Sequence, residues 1–315
     1  MSENKENLIL FDWLSLTSKV HTFDQIAYLL GLDSVTWECG YSPRYECRWY
    51  YGSISIHCMN ERPGIWLEMS GQGCRTFESE GHGDYSVIFS FARQFADDIN
   101  VTRLDVAFDD HTGLLDIRRI YDDVVNQKYV SRSTSWTVEL SDHGSCVYIG
   151  SHQSTVMFRI YDKAAERNIS DEHWIRCEMQ LRNARCMKFL ELVGEIGLQS
   201  AYRSVLINYL RFVVEDENDS NKSRWPMAQY WSDLINDALP RSIYVAPGLE
   251  YNVERCENYV YRIAGNAIDA LLQVYDGDVS EFLSKLGSRD TKPNPKYKTM
   301  IREARVARGV GVNDE

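Results

Sequence analysis

The alternation of apolar and polar residues predicts short strands over the first two-thirds of the chain. Seven stretches have a two-residue period: LILFDWLSLT, WYYGSISIHC, GIWLEMS, VTRLDVAFD, SCVYIGS, VMFRIYDK and WIRCEMQLR. Three stretches between them repeat apolar residues at helical spacing: TFDQIAYLLGL, DYSVIFSFARQFADDI and LLDIRRIYDDVV. The first of these opens with a capping-box pattern, Thr22 to Gln25, and stops at Gly31. The pattern predicts an α+β fold with an antiparallel or mixed sheet, helices on one face and a polar face opposite.

The strand pattern stops after Arg182, and helical stretches follow to the end of the chain. The polar segment 215–226, EDENDSNKSRWP, is the best boundary between the two parts. We therefore expect three regions: an N-terminal α+β half over 1–100, a catalytic α+β half over 101–215, and a helical C-terminal region with a basic tail over 216–315.

The α+β part contains a weak internal sequence repeat, which has two interpretations. The set FDWLSLT, YGSISIHC and IWLEMSGQGCR is followed about a hundred residues later by RLDVAFDD, CVYIGS and IRCEMQLRNARC. Each set reads as a strand with an early Asp, a strand with Gly-Ser and a strand with Glu-Met. Two similar halves and chance similarity among amphipathic strands both remain open.

Three of the predicted strands divide polar from apolar residues, because residues i, i+2 and i+4 of a strand point the same way. The polar faces of 155–163, 174–182 and 101–109 contain these residues: Thr155, Met157, Arg159, Tyr161 and Lys163; Trp174, Arg176, Glu178, Gln180 and Arg182; Val101, Arg103, Asp105, Ala107 and Asp109. If helices cover the apolar sides, this face is left to water or to a ligand.

The residue types on that face suit phosphoryl transfer to tyrosine. Carboxylates favour Mg²⁺ or Mn²⁺, and the candidate ligands are Asp105, Asp109 and Glu178. Arginines bind phosphate bidentately, and the candidates are Arg103, Arg159, Arg176 and Arg182. A tyrosine hydroxyl becomes a nucleophile when a cation stabilises its phenolate, which Lys163 could do for Tyr161. The alternative is a solvated strand face with ordinary cross-strand Arg–Glu pairs.

Composition excludes several other classes of protein. The formal net charge of -12 argues against coating of nucleic acid by bulk attraction. The polar start MSENKEN and the absence of a long apolar run predict neither a signal peptide nor a membrane span. The eight cysteines contain no C-x-x-C pair, the histidines form no familiar metal motif, and no phosphate-binding loop is present. The aromatic residues of CRWYYG and Trp66 are predicted to lie in the core rather than to form a base-stacking surface.

The C-terminal tail is locally basic. Between residues 285 and 308 there are eight Lys or Arg and two acidic residues. The candidate DNA contacts there are Lys296, Lys298, Arg302 and Arg305. A solvated terminal helix is an equally good interpretation.

The ordered motifs RLDVAFDD, YIGSHQSTVMFRIYDKAAE and WIRCEMQLRNARC resemble the rolling-circle replication initiation factor family, Rep_trans. This family includes plasmid and phage initiators and related relaxases of conjugative elements. DWLSLT, GIWLEMSGQGCRTFE and PMAQYWSDLI extend the resemblance over 8–290. It implies a DNA-nicking and joining enzyme that becomes linked to the 5′ phosphate through Tyr161, with Lys163 beside it and with Asp105, Glu178 and, less securely, Asp109 as the acidic residues.

The resemblance also implies partners and a setting. The DNA would be an origin, single-stranded or extruded as a hairpin, and the free 3′ hydroxyl would prime a host polymerase with a host helicase. A homodimer and a plasmid- or phage-encoded protein in the bacterial cytoplasm, away from membranes, fit the same picture. The alternatives are a relaxase of a mobile element and a non-catalytic protein that binds DNA or a partner, in which Tyr161 is structural.

Overall fold

The structure, a computed structural model, describes residues 6–42, 45–59, 63–141, 144–245, 253, 256–257, 260–287 and 297–308. The chain forms two compact units, Met1–Tyr244 and Val245–Glu315. The first unit contains the strands of both expected α+β halves and extends past the boundary expected at 216.

Ten strands form one antiparallel sheet, and two more form a small separate sheet. The strands in chain order are β1 (Leu8–Ser18), β2 (Glu38–Gly40), β3 (Cys47–Tyr51), β4 (Ile54–Cys58), β5 (Ile65–Met69), β6 (Ile99–Asp110), β7 (Tyr129–Ser131), β8 (Trp136–Ser141), β9 (Gly144–Ile149), β10 (Val156–Asp162), β11 (Ile175–Arg182) and β12 (Leu210–Phe212). The order in the large sheet is β2-β3-β4-β5-β1-β6-β11-β10-β9-β8, and β12 pairs with β7. The pair β7–β12 departs from the expectation that strands stop at Arg182.

The first unit has eight α-helices among its described residues: α1 (Phe23–Leu30), α2 (Gly71–Glu80), α3 (Tyr85–Gln94), α4 (Ile117–Val125), α5 (Lys163–Glu166), α6 (Ala184–Ile196), α7 (Leu198–Tyr209) and α8 (Gln229–Ile235). A 3-10 turn lies at Lys222–Arg224. The second unit has a π-helical turn at Val260–Ala264 and helices at Gly265–Val274, Val279–Gly287 and Lys298–Ala307.

Helices pack on the apolar face of the large sheet, and this packing forms the core. Residues such as Leu14, Phe108 and Met179 point from the sheet into this layer and are fully or almost fully buried. Helix α1 begins where the sequence predicts, because the Thr22 amide donates to the Gln25 side chain at 2.9 Å and Gly31 ends the helix with φ +70°. The predicted α+β class, with an antiparallel sheet and helices on one face, is confirmed.

Both halves of the large sheet have the same strand order. Counted outward from the centre, the N-terminal half runs β1-β5-β4-β3-β2 and the C-terminal half runs β6-β11-β10-β9-β8. In each half a helix follows the first strand and another follows the last one: α1 and α2, then α4 and α6. Because β1 and β6 pair antiparallel, the two halves are related by an approximate two-fold axis. The topology favours two similar halves, because it matches β3 with β9 and β4 with β10. The Gly-Ser pairs of YGSISIHC and CVYIGS lie in corresponding turns, after β3 and after β9, but the strands quoted with them, β4 and β9, do not correspond.

The aromatic residues of β3 and β5 do not all lie in the core as predicted. Trp49 and Tyr51 pack against the core from one side of β3. Tyr50 and Trp66 lie on the opposite, polar face, in register with Ser55 and His57 of β4. Period-two alternation separates these neighbours, and their hydrophobicity alone does not.

Candidate active site

Three adjacent central strands bring the predicted polar residues onto one face. Strand β10 pairs with β11, which pairs with β6, so the chain positions are aligned by backbone hydrogen bonds. The cross-strand pairs on this face are Arg159–Glu178, Tyr161–Arg176 and Arg176–Asp109. The C-terminal half thus concentrates a tyrosine, acids and arginines at the middle of the sheet.

Tyr161 is held under cationic groups. Its side chain is only 5% exposed, and its hydroxyl donates to Glu178 Oε2 at 3.4 Å. The Arg159 guanidinium lies 4.5 Å from the ring centroid and the Lys163 ammonium lies 5.4 Å from it. Burial raises the pKa of Tyr161 above its ordinary value, and Glu178 raises it further, although Arg176 and Arg159 oppose the shift. The resting side chain is therefore a neutral phenol that needs further positive charge to ionise.

Lys163 reaches this site from outside the strand. Strand β10 ends at Asp162, whose carboxylate accepts a hydrogen bond from the Ala165 amide at 2.8 Å and caps α5. Lys163 is the first residue of α5 and pairs with Glu166. The expected continuation of the strand to Lys163 is wrong, yet the turn still leaves the ammonium near the Tyr161 ring.

Each of the three predicted metal ligands is paired with a different arginine. Glu178 accepts from Arg159 Nη2 at 2.7 Å, and Asp105 accepts from Arg103 Nη2 at 2.5 Å. A bidentate pair joins Asp109 to Arg176 at 2.6 and 2.7 Å. All three carboxylates are at most 3% exposed. The arginines therefore serve as counter-ions in this structure.

A further acid, Asp12, joins the site from β1. Its Oδ1 lies 2.6 Å from Arg176 Nη1, the same guanidinium that binds Asp109. The pairing of β1 with β6 has a register shift between Phe11 and Trp13, so Asp12 sits in a bulge. Sequence reasoning missed this residue because a bulge breaks the alternation that assigns faces. The early Asp in the FDWLSLT motif was the available signal.

The acids have donor chemistry that suits a hard divalent cation. Burial raises the pKa of Glu178, and the charges of Asp105 and Asp12 raise it as well, against the effect of Arg159. Negative charge of Asp105 and Asp12 therefore acts on Glu178 even with the arginines present, and carboxylate oxygens are preferred ligands of Mg²⁺ and Mn²⁺. Within the described ranges no three His, Cys, Asp or Glu side chains already converge closely enough to hold an ion. The residue types fit a metal, but its coordination would require the carboxylates to leave their arginines.

The remaining DNA-binding candidates fall into two groups. Arg182 donates to Gln180 at 3.1 Å, and Gln180 contacts Asp105 at 3.5 Å, so Arg182 belongs to the polar face. Arg302 and Arg305 are exposed on the last helix of the second unit. Lys296 and the side chain of Lys298 lie outside the described residues.

Comparisons with known proteins agree with this architecture. The family model "Replication initiation factor" (Rep_trans) matches residues 99–286, and "Rolling Circle replication initiation protein N-terminal domain" (Rol_Rep_N) matches residues 8–93. The "Putative DNA relaxase NicK" of Bacillus subtilis (strain 168) is 28% identical over 319 residues, which covers 93% of this chain and 88% of the relative. The structure of a rolling circle replication initiator protein from Geobacillus stearothermophilus matches with a TM-score of 0.67 and 25% identity, over 76% of this chain and 99% of that one.

None of the helices in the described part of the chain is long and apolar enough to cross a membrane.

Two family models together match most of the chain, and the solved initiator shares its fold. The family resemblance predicted from the motifs is confirmed. The chain belongs to the replication initiation factor family, whose members are rolling-circle replication initiators and DNA relaxases.

Proposed function

We propose that this protein initiates rolling-circle replication by nicking one origin strand with Tyr161. The observation that carries the proposal is the buried phenol: it donates to Glu178 and lies against the cationic groups of Arg159 and Lys163. A strand aromatic with only a packing role has no need of two cations on its ring. Membership of a family of initiators and relaxases supports the same reaction.

The chemistry is an exchange of phosphate esters. Tyr161 Oη forms a bond to phosphorus while the bond from phosphorus to the 3′ oxygen breaks, which leaves a 5′ phosphotyrosine and a 3′ hydroxyl. Glu178, which accepts the phenolic hydrogen bond, is within reach to take the proton, and the departing 3′ oxygen gains a proton from solvent. One ester replaces another, so rejoining needs no ATP, in keeping with a sequence that has no phosphate-binding loop.

The arginines would change partners when DNA binds. Arg159 has one N–H group, Nε, that is buried and meets no acceptor among the described residues, while its Nη2 binds Glu178. A phosphate that takes this guanidinium would gain a bidentate contact and would uncover the Tyr161 ring. Lys163 would then favour the phenolate as charge develops.

Asp105 and Glu178, with Asp12 beside them, are the side chains that would hold Mg²⁺ or Mn²⁺. When bound, the ion supplies positive charge to the phosphate under attack. Asp109 is the least suited of the predicted ligands, because its partner Arg176 is buried and is also held by Asp12, whereas Arg103, which likewise contacts both oxygens of Asp105, is 26% exposed. We assign it the role of orienting Arg176.

The test compares two tyrosines of the same face. Tyr161→Phe and Tyr148→Phe each remove one hydroxyl, and Tyr148 lies on the neighbouring strand, where its hydroxyl donates to Glu139 at 3.1 Å. The assay measures relaxation of a supercoiled plasmid carrying the inverted repeat nearest the coding sequence, with Mn²⁺ or with EDTA, and captures the covalent DNA–peptide adduct. Tyr161→Phe should give no adduct and no relaxation, Tyr148→Phe should react normally, and EDTA should stop the wild type.

Other results would change the proposal in defined ways. An adduct on a peptide without residue 161 would reject the nucleophile, and normal cleavage in EDTA would reject the metal. Origin binding with no cleavage by the wild type would favour a binding-only protein. The similarity to the NicK relaxase supports a second candidate, a relaxase of a mobile element with the same chemistry. In that case the nick would lie in a transfer origin and would not support plasmid replication by the host helicase and polymerase.

A further inference from the structure

The approximate two-fold axis gives the Tyr161 site a counterpart in the N-terminal half. The polar faces of both halves are continuous, because every strand between them is paired in one sheet. Cross-strand pairs of β4 and β5 can therefore be compared with the pairs at equivalent positions of β10 and β11. Ser55–Glu68 corresponds to Arg159–Glu178, and His57–Trp66 corresponds to Tyr161–Arg176.

The outer strands support this correspondence. On β3 the Tyr50 hydroxyl donates to Glu38 of β2 at 2.8 Å. On β9 the Tyr148 hydroxyl donates to Glu139 of β8 at 3.1 Å. Both tyrosines lie one strand outward from the compared pairs, opposite Ser55 in one half and Arg159 in the other.

The N-terminal counterpart has rings where the Tyr161 site has its nucleophile and an arginine. His57 stacks on Trp66 with ring centroids 4.5 Å apart and an angle of 22° between the planes, and Tyr45 lies 5.9 Å from His57. Trp66 is half-buried, and its Nε1 donates to Ser15 at 2.7 Å, which fixes the ring plane. Without a tyrosine at the position of His57, this half has no counterpart of the nucleophile. Partly exposed rings fixed in this way can stack with DNA bases.

Arginines accompany these rings. Arg48 donates to Ser55 Oγ at 3.0 and 2.7 Å and lies 5.6 Å from the Tyr50 ring centroid. Between the two halves, the Arg103 guanidinium lies 4.1 Å from the Trp13 ring. Alternating guanidinium and ring surfaces suit a chain of alternating phosphates and bases.

Unused donors on the same face point to an acceptor-rich ligand. Trp13 Nε1, Arg159 Nε and Arg182 Nε are shielded from water and have no acceptor among the described residues. They belong to β1, β10 and β11, so they span the centre of the sheet. Buried donors without partners are costly, and a nucleic-acid strand offers phosphate and base oxygens to each.

We propose that the polar face of the N-terminal half, formed around Trp66 and His57 with Arg48, binds single-stranded DNA by base stacking. The site rests on the proposed nicking function and extends it, because the same strand would continue from Tyr161 across Arg103 and Trp13 to Trp66. Four strand spacings separate β10 from β5, which is about 19 Å, a span of a few nucleotides. The N-terminal half is then a non-catalytic copy that holds the substrate.

The experiment measures binding of a fluorescent thymidine homopolymer to protein with the Tyr161→Phe change, so cleavage cannot affect the result. Trp66→Leu should weaken binding about ten-fold, as expected for the loss of one base–aromatic stack, with little change in the salt dependence. Trp66→Phe should recover most of the affinity, because a ring is restored. The control is Tyr28→Leu, a 70% exposed tyrosine on α1 in the helical layer, which should bind as the parent does.

Two results would overturn this site. Equal affinity of Trp66→Leu and the parent would show that DNA does not stack there, and an equal loss in Trp66→Phe would show that the ring is structural. Failure of the proposed function looks different, since wild-type protein would then leave supercoiled plasmid uncut whatever its affinity for the homopolymer. If the parent itself does not bind the homopolymer, the stacking surface is rejected as well.

Discussion

Some side chains in the Tyr161 site are positioned by neighbouring residues that have no reactive group of their own. Asp12 is the clearest case, because its carboxylate lies against the first residue of α2. A Cβ atom on Gly71 would lie 2.6 Å from Asp12 Oδ1 and 3.1 Å from its Cγ. Only glycine leaves room for this carboxylate to meet Arg176.

Gly71→Ala should therefore reduce nicking while the protein stays folded. The new methyl group displaces the Asp12 carboxylate and leaves Arg176 with Asp109 alone, so we expect a loss of about ten-fold or more in rate, typical of misplaced catalytic groups. The measurement is the initial rate of plasmid nicking together with the melting temperature. Gly194→Ala is the matched control, because a Cβ at that position in α6 meets nothing within 4 Å. If both variants nick at the wild-type rate, Asp12 has no part in the reaction.

The junction between β11 and α6 stores strain. Asn183 has φ 53° and ψ -130°, a combination that only glycine adopts readily. It is the N-cap residue of α6, directly after Arg182, and its amide donates to the Thr102 carbonyl at 3.1 Å. The tight junction keeps α6 against the apolar face immediately after a strand that carries site residues.

Asn183→Gly should stabilise the protein by about 0.5–1 kcal/mol, because relief of backbone strain outweighs the added freedom of the unfolded chain. Chemical denaturation measures the change. Asn236→Gly is the control, since Asn236 has φ 49° and ψ 57°, a left-handed conformation that asparagine tolerates. Destabilisation of the Asn183 variant would mean that its side chain, exposed in this structure, makes a necessary contact.

For the whole molecule, the central question is where an acidic protein gains its affinity for DNA. The net charge is -12, and Arg103, Arg159 and Arg176 on the polar face around Tyr161 are each paired with an acid. The basic segment after residue 285 supplies separate positive charge, and Arg302 and Arg305 are exposed there. Phosphate contacts by this segment would add affinity that depends strongly on salt.

Replacement of both Arg302 and Arg305 by Gln should lower the slope of log affinity against log salt by about 2, one for each lost phosphate contact. Affinity for origin DNA is measured over a range of salt concentrations in the Tyr161→Phe background. The control variant replaces Lys188 and Arg224 by Gln, which removes the same charge from exposed residues already paired with Glu191 and Asp219. An unchanged slope in the Arg302 and Arg305 variant would favour the alternative interpretation, in which the last helix is solvated and does not contact DNA.

The faces of the central strands could be predicted from the sequence because strand alternation is local. Arg159 and Tyr161 on β10, Glu178 on β11 and Asp105 on β6 share a face as a consequence of period-two geometry and the burial of the intervening apolar residues. The motifs in their order were also sufficient to predict the family. These properties depend on residues close together in the chain.

Other properties depend on contacts between distant segments. Asp12 reaches the site through a bulge, Lys163 through a turn, and Trp66 lies on the polar face through the register of β4 and β5. The arginine partners of Glu178, Asp109 and Asp12 follow from which strands become neighbours, whereas Arg103 and Asp105 lie on the same strand; the two-fold relation follows from the pairing of β1 with β6. Which strands become neighbours depends on the burial of the whole apolar face of the sheet. That burial is a property of the entire domain, so a local sequence pattern does not specify it.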